Sequence, residues 1–194
     1  MKAISVVFGV MLIVLGSTAM AAELTKGTVE FTTAGAFSYQ SYSYDGTDLG
    51  SETTVNVAGE AAYSVTNHVA LSGGLVFQHD GNSPEGVDGT NQSSFGPQAG
   101  VRYHFTTSSN IVPFVEGKLG LLAYTGDGYD DASTTLWLPS VGGGMRVMIG
   151  ESASVNFLGS FVHQRNAGGV EDVSSNDVRF GLGISVFPGG VAMR

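Results

Sequence analysis

Residues 55–77, with the sequence VNVAGEAAYSVTNHVALSGGLVF, decide the fold of this chain. On both sides of the short polar stretch 66–68, apolar or small residues occupy every second position. A period of two is typical of β-strands with one apolar face, whereas an amphipathic helix repeats its apolar residues at intervals of three and four. A connection this short joins antiparallel neighbours. The stretch therefore predicts a β-hairpin.

The same alternation recurs along the whole chain after Glu23 and predicts eight strands. The apolar faces lie within residues 29–39, 55–65, 69–77, 95–105, 115–121, 137–149, 155–161 and 178–186. The predicted connections alternate between long ones (45–52, 80–92, 125–134, 165–176) and short ones (66–68, 106–110, 150–152). Short turns at one end and long loops at the other are typical of an all-β, up-and-down transmembrane barrel of the bacterial outer membrane.

The strand charges lie on the opposite face from the apolar residues. They are Glu30, Glu60, Arg102, Glu116, Lys118, Arg146 and Arg179. In hydrocarbon an arginine or lysine would cost about 2–4 kcal/mol at mid-depth and a glutamate somewhat less, so we expect them all to face the lumen. The lumen of an eight-stranded barrel is just wide enough to be filled with side chains. The pattern therefore predicts a paired charge network that fills the lumen, with a narrow solute channel as the alternative.

A secreted β-sandwich or a lipocalin-like barrel would also alternate. The charges, however, occupy the face that such proteins use for packing or for a ligand, which favours the membrane barrel. Two features disturb the pattern. Pro97 and Pro139 lie within strands and predict bulges there. Tyr42 and Tyr44 have the wrong parity, which indicates a bulge or a position above the membrane.

The first residues form a targeting segment. Lys2 precedes the apolar run 3–15, and Ala19-Met20-Ala21 gives the small-x-small pattern of a signal-peptidase site. The run is shorter than the roughly 20 residues of a membrane-spanning helix. We expect residues 1–21 to be a cleaved signal peptide and residues 22–194 to be the barrel domain. The alternative is a retained anchor helix.

At this point a family resemblance is visible. The strand opening Pro113–Gly117 (PFVEG) and the closing strand Arg179–Phe187 (RFGLGISVF) resemble the small outer-membrane β-barrel superfamily, which includes the OmpA/OmpX-type barrels. The resemblance implies a bacterial outer-membrane protein, a monomer, that contacts outer-membrane lipid and lipopolysaccharide and needs no cofactor. Members usually end on the aromatic residue of the last strand, whereas here Pro188–Arg194 follow Phe187.

A second, local resemblance concerns residues 163–168, HQRNAG. They are similar to the His-x-Ser-Asn-Ala-Gly motif of lipid A 3-O-deacylases, which are also eight-stranded barrels. The resemblance implies that His163 is the base, Asn166 an oxyanion contact and Asp177 the orienting acid. Arg165 replaces the serine nucleophile, and acyl hydrolysis needs a hydroxyl or a thiol next to the base. We therefore expect no enzyme activity, with a deacylase-like hydrolase, either active or inactive, as the alternative.

The long loops, counted with Asp177 directly after the last of them, are acidic and carry twelve of the 17 acidic residues. Oxygen-rich Asp127, Asp130 and Asp131 are candidate cation contacts, although a solvated, repelling surface is the favoured interpretation. The four histidines show no metal-ligand spacing and there is no cysteine, so no metal site is predicted. The net charge of -9 disfavours nucleic acid. We expect a role in membrane integrity, or in recognition of an unknown extracellular partner through the loops.

Overall fold

The computed structural model describes residues 22–44, 47–84, 90–126, 135–167 and 174–193. The candidate signal peptide, residues 1–21, lies outside this part of the chain, so its cleavage stays a prediction. In the described residues no helix is long and apolar enough to cross a membrane.

Eight long antiparallel strands form a closed barrel in which each strand pairs with the next and the last pairs with the first. These strands are β2 (Val29–Tyr44), β3 (Thr47–Ser64), β4 (Val69–Pro84), β5 (Thr90–His104), β6 (Ile111–Gly126), β7 (Thr135–Met148), β8 (Ala153–Ala167) and β9 (Ser174–Val186). Two short strands, β1 (Ala22–Glu23) and β10 (Ala192–Met193), form a separate two-stranded sheet. The predicted all-β, eight-stranded barrel is confirmed.

The side chains alternate across the barrel wall as predicted. Outward-facing Phe31, Leu71 and Val101 are each about half exposed, while inward-facing Glu30 and Arg102 are buried. A wall that is apolar outside and polar inside is typical of a barrel in lipid, because only the outer face contacts hydrocarbon.

The strands extend further than the alternation predicts. Asp48, Glu52, Asp80 and Asp177 were expected in the long loops but lie within strands. Crossing a bilayer takes about 9–11 residues per strand, whereas these strands contain 13 to 18. The apolar alternation marks only the part covered by lipid, and polar residues continue the backbone pairing above it.

The prediction of bulges at the two prolines was wrong. Pro97 pairs with Leu75 and Pro139 pairs with Leu119 in unbroken registers. Each proline-containing strand lacks two residue pairs with its other neighbour, β5 with β6 and β7 with β8. The register of these strand pairs is nevertheless the same before and after the missing pairs. A proline lacks only its own N–H, so the wall loses ladder bonds without gaining a residue. A true register shift lies instead between Tyr42 and Ser43, at one of the two tyrosines with the wrong parity.

A small apolar core closes the end of the barrel that carries the short turns, here called the turn end. It consists of Leu24, Val112, Met148, Phe187 and Val191, all buried. The Phe187 N–H donates to the Ser152 carbonyl at 2.9 Å, and the Val191 N–H donates to the Glu151 carbonyl at 2.8 Å. The residues after Phe187 thus return across the turn end, where β10 pairs with β1. We call this core and its two short strands the cap.

Candidate functional site: the charged lumen

Arg102 is the centre of the largest cluster of charges in the lumen. Its guanidinium lies 3.2 Å from the Glu30 carboxylate, 3.3 Å from that of Glu60 and 2.8 Å from that of Glu116. All four side chains are at most 5 % exposed. The three glutamates come from β2, β3 and β6, so one arginine of β5 connects distant parts of the wall across the lumen.

Lys118 and Arg146 complete this cluster. The Lys118 ammonium lies 2.6 Å from Glu60 and 2.9 Å from Glu116, and Arg146 pairs with Glu30. The cluster therefore has three acids and three bases, and we call these six side chains the ionic layer. Such balance is what buried charges need, because an unpaired buried charge is strongly destabilising.

Neutral polar side chains add further hydrogen bonds to the ionic layer. Thr32 and Ser185 each donate to Glu30 at 2.7 Å, and Gln98 donates to Glu60 at 2.8 Å. Arg146 donates to Asn156 at 3.1 Å. No motif marks these residues in the sequence, although their parity already assigns them to the inward face.

Aromatic rings lie between the ionic layer and the turn end. The Phe114 ring centre is 5.1 Å from the Arg102 guanidinium carbon and 5.9 Å from that of Arg146. Phe187 of the cap lies 5.2 Å from the same Arg146 carbon. Cation–π contacts of this kind are strongest where water is excluded. They attach the ionic layer directly to the cap.

Arg179, predicted as part of the same network, lies apart from the ionic layer. It donates to Asp177 at 2.6 Å, to Asn56 at 3.0 Å and to Gln78 at 3.2 Å. Gln78 in turn donates to Asp80 at 2.7 Å. These contacts form a second polar group, nearer the loop end of the barrel. Asp80 and Asp177 were missed as lumen residues because they were assigned to loops.

An apolar cluster shares the lumen with the Arg179 group. It contains Val76, Leu122, Leu138 and Val162, with Ala58 packed against it. Val162 pairs directly with Asp177, and Val76 is the inward neighbour of Gln78 on β4. Its members occupy inward positions, whereas the predicted content of the lumen was a network of charges. Parity alone would have revealed them.

The residues of the deacylase-like motif are not assembled as a triad. His163 Nδ1 is 2.9 Å from the amide oxygen of Asn176, which is its direct partner on β9. Asp177, the acid expected to orient His163, faces the lumen and binds Arg179. Neighbouring strand positions face opposite sides of the wall, so spacing along the sequence suggested Asp177 where parity gives Asn176. Arg165 lies exposed beyond His163. The side chain of Asn166 lies outside the described residues.

His104 faces inward at the turn end, as expected from parity. It is 3 % exposed and lines a cavity of about 150 Å³ together with Asn67 and His68. Within the described ranges no three His, Asp or Glu side chains are grouped as metal ligands. The candidate cation contacts Asp127, Asp130 and Asp131 lie outside the part of the chain that the structure describes.

Comparison with known proteins identifies the family. The model of the outer membrane protein β-barrel domain family matches residues 8–188, so this chain belongs to that family and is a protein of the bacterial outer membrane. No curated protein sequence matches it.

Solved structures resemble this chain at low sequence identity. Neisserial surface protein A is 18% identical with a TM-score of 0.59, covering 83% of this chain and 97% of that one. A structure from the de novo design of transmembrane β-barrels is 16% identical with a TM-score of 0.50, covering 85% and 98%. The outer membrane enzyme PagL is 17% identical with a TM-score of 0.44, covering 80% and 98%.

Proposed function

We propose that this protein is a structural outer-membrane barrel whose lumen does not conduct solutes. The observation that carries the proposal is the succession of closed layers along the lumen. The apolar cap is followed by the ionic layer, and that by the Arg179 group with its apolar cluster. A permeant ion would have to cross two apolar layers and break buried ion pairs, and each step is unfavourable without water.

We further propose that outer-membrane lipid and lipopolysaccharide are its main partners, and that it is a monomer. The broad outward face of exposed apolar side chains, including Phe180, Leu182 and Ile184, supports contact with lipid. Recognition of an extracellular partner would fall to the loop end, because loops on a rigid scaffold are where binding surfaces arise.

The closed lumen predicts the result of planar bilayer recordings. Purified, refolded protein inserted into a bilayer should produce no stable conductance steps above the baseline. The heat-dependent shift of its gel mobility would establish that the inserted protein is folded. Reproducible steps of one size, from protein that shows this shift, would contradict the closed lumen and favour the narrow channel.

We also propose that the protein does not hydrolyse lipid A. The supporting observations are the pairing of His163 with Asn176, the inward orientation of Asp177 and the arginine at the nucleophile position. The lipid A mass spectrum of cells that express the protein should therefore equal that of cells without it. A His163→Ala variant, expressed at the same level, should give the same spectrum. Loss of one hydroxyacyl mass with the wild type alone would establish a hydrolase.

A further inference from the structure

The barrel wall is incompletely paired at one seam. β2 and β9 pair only between Phe31–Ala36 and Val186–Gly181, which makes six residue pairs. The other seven seams have between eleven and sixteen pairs. Both strands nevertheless continue toward the loop end, β2 to Tyr44 and β9 to Ser174. We call the facing segments, residues 37–44 and 174–180, the open seam; the described residues show no β2–β9 pairing within it.

Below the open seam the wall is tightly closed. A Cβ at Gly183 would lie 3.0 Å from the Ala34 Cβ and 3.0 Å from the Thr33 carbonyl oxygen. At Gly181 it would lie 3.3 Å from the Gly35 carbonyl oxygen. The absence of side chains at these two glycines lets the strands approach closely. The open seam is therefore a groove with a definite lower end.

The lumen side of the open seam is closed by Arg179. From β9 this side chain reaches Asn56 on β3 and Gln78 on β4, passing behind β2. It therefore connects the strands on either side of β2 at the level where β9 and β2 stop pairing. Whatever enters the groove from outside meets a buried guanidinium and does not reach an open channel.

The outer side of the open seam faces lipid. Phe37 and Phe180, on its two edges, are 62% and 74% exposed, and Val178 is 59% exposed. The unpaired backbone thus begins among residues that contact hydrocarbon. Hydrocarbon chains cannot satisfy backbone N–H and C=O groups, and each unsatisfied group costs several kcal/mol. The groove needs an occupant with both apolar and hydrogen-bonding parts.

We propose that the open seam binds one outer-leaflet lipid whose chain-bearing region carries hydroxyl or amide groups, the chemistry of lipopolysaccharide. Its hydrocarbon chain lies against Phe37 and Phe180. Its hydroxyl and amide groups, which donate as well as accept, bond to the backbone edges of β2 and β9. A phosphatidylcholine has no such donors and binds less well. This inference rests on the proposed contact with lipopolysaccharide, to which it adds a binding site, and does not depend on the closed lumen.

Cysteine cross-linking tests the occupant, because the chain has no cysteine of its own. If the β2–β9 register continued upward, positions 39 and 178 would face each other. The test variant is Tyr39→Cys with Val178→Cys, and the matched control is Gly35→Cys with Leu182→Cys, a pair in direct register below the seam. Both are folded in phosphatidylcholine micelles, with or without added lipopolysaccharide, and oxidised under identical conditions.

A bound lipid would keep the two cysteines of the test variant apart. At lipopolysaccharide concentrations roughly ten times the Kd, the rate of disulfide formation in the test variant should fall about tenfold. The rate in the control variant should not change. If the test variant fails to fold, Ser41→Cys with Asn176→Cys gives the same measurement one outward position higher.

Two results would overturn the proposal. The first is a rate in the test variant that lipopolysaccharide does not change, whether that rate is fast or slow. The second is a disulfide between two chains, which would show that the strand edge of a second copy covers the seam. Neither readout involves conductance, so a conducting protein with a lipid-sensitive seam would refute the closed lumen and leave this inference intact.

Discussion

Replacement of Arg102 by methionine should lower the free energy of unfolding by about 3–5 kcal/mol, the usual cost of removing one partner from a buried ion pair. Methionine keeps a long apolar side chain but leaves Glu30, Glu60 and Glu116 without the cation that lies within 3.3 Å of each. Arg146 and Lys118 still contact the three carboxylates, but two cations then face three anions. Because the three glutamate side chains are at most 5% exposed, bulk solvent compensates little of that excess charge.

Urea titration in lipid vesicles, followed by tryptophan fluorescence or by gel mobility, measures this effect. Lys118→Met is the matched control, because its side chain is 15% exposed and pairs with two of the same glutamates. Water can partly solvate the carboxylates that lose their contact with Lys118. The Lys118→Met substitution should therefore lower the free energy of unfolding by clearly less than Arg102→Met. Equal losses in the two variants would show that burial of Arg102 does not set the stability of the ionic layer.

The sequence predicted the fold well because one physical constraint acts on every strand. Lipid requires an apolar outer face, and a period of two assigns the charges of Glu30 or Arg146 to the lumen without knowledge of their partners. The same parity would have placed Asn176 beside His163, and a rule based on spacing chose Asp177 instead. The alternation carries this information only where lipid covers the wall, which is why the polar strand extensions around Asp80 and Asp177 were taken for loops.

Other features depended on contacts that no local pattern encodes. The six charges of the ionic layer meet across the lumen from five strands, and only the registers between strands determine that Arg179 stays apart. The short pairing between β2 and β9 joins residues more than 140 positions apart in the sequence. The cap likewise combines Leu24 with Val191. Long-range register is set by the packing of the whole barrel, so neither composition nor spacing predicts it.

Truncation of Phe187 should have the second large effect on the free energy of unfolding, because this side chain connects the cap to the ionic layer. It is completely buried, packs with Leu24, Val112, Met148 and Val191, and lies 5.2 Å from the Arg146 guanidinium carbon. Phe187→Ala should therefore lower the free energy of unfolding by about 3–5 kcal/mol, the range for truncating a buried phenylalanine. The cavity that remains would also weaken the packing of Val191 and the chain that returns beneath the barrel.

Phe180→Ala, in β9 just before Phe187, is the matched control. Phe180 is 74% exposed on the lipid face. After truncation, lipid tails, which are as apolar as the phenylalanine ring, fill the space that it occupied. Its truncation should cost much less than that of Phe187 in the same urea titration. If the two substitutions lower the free energy of unfolding equally, Phe187 stabilises the protein no more than a lipid-facing aromatic residue does. The cap would then not act as a hydrophobic core. A large loss at Phe187 alone would show that the aromatic residue directly after β9 stabilises the closed turn end from within, in agreement with the inward parity of position 187.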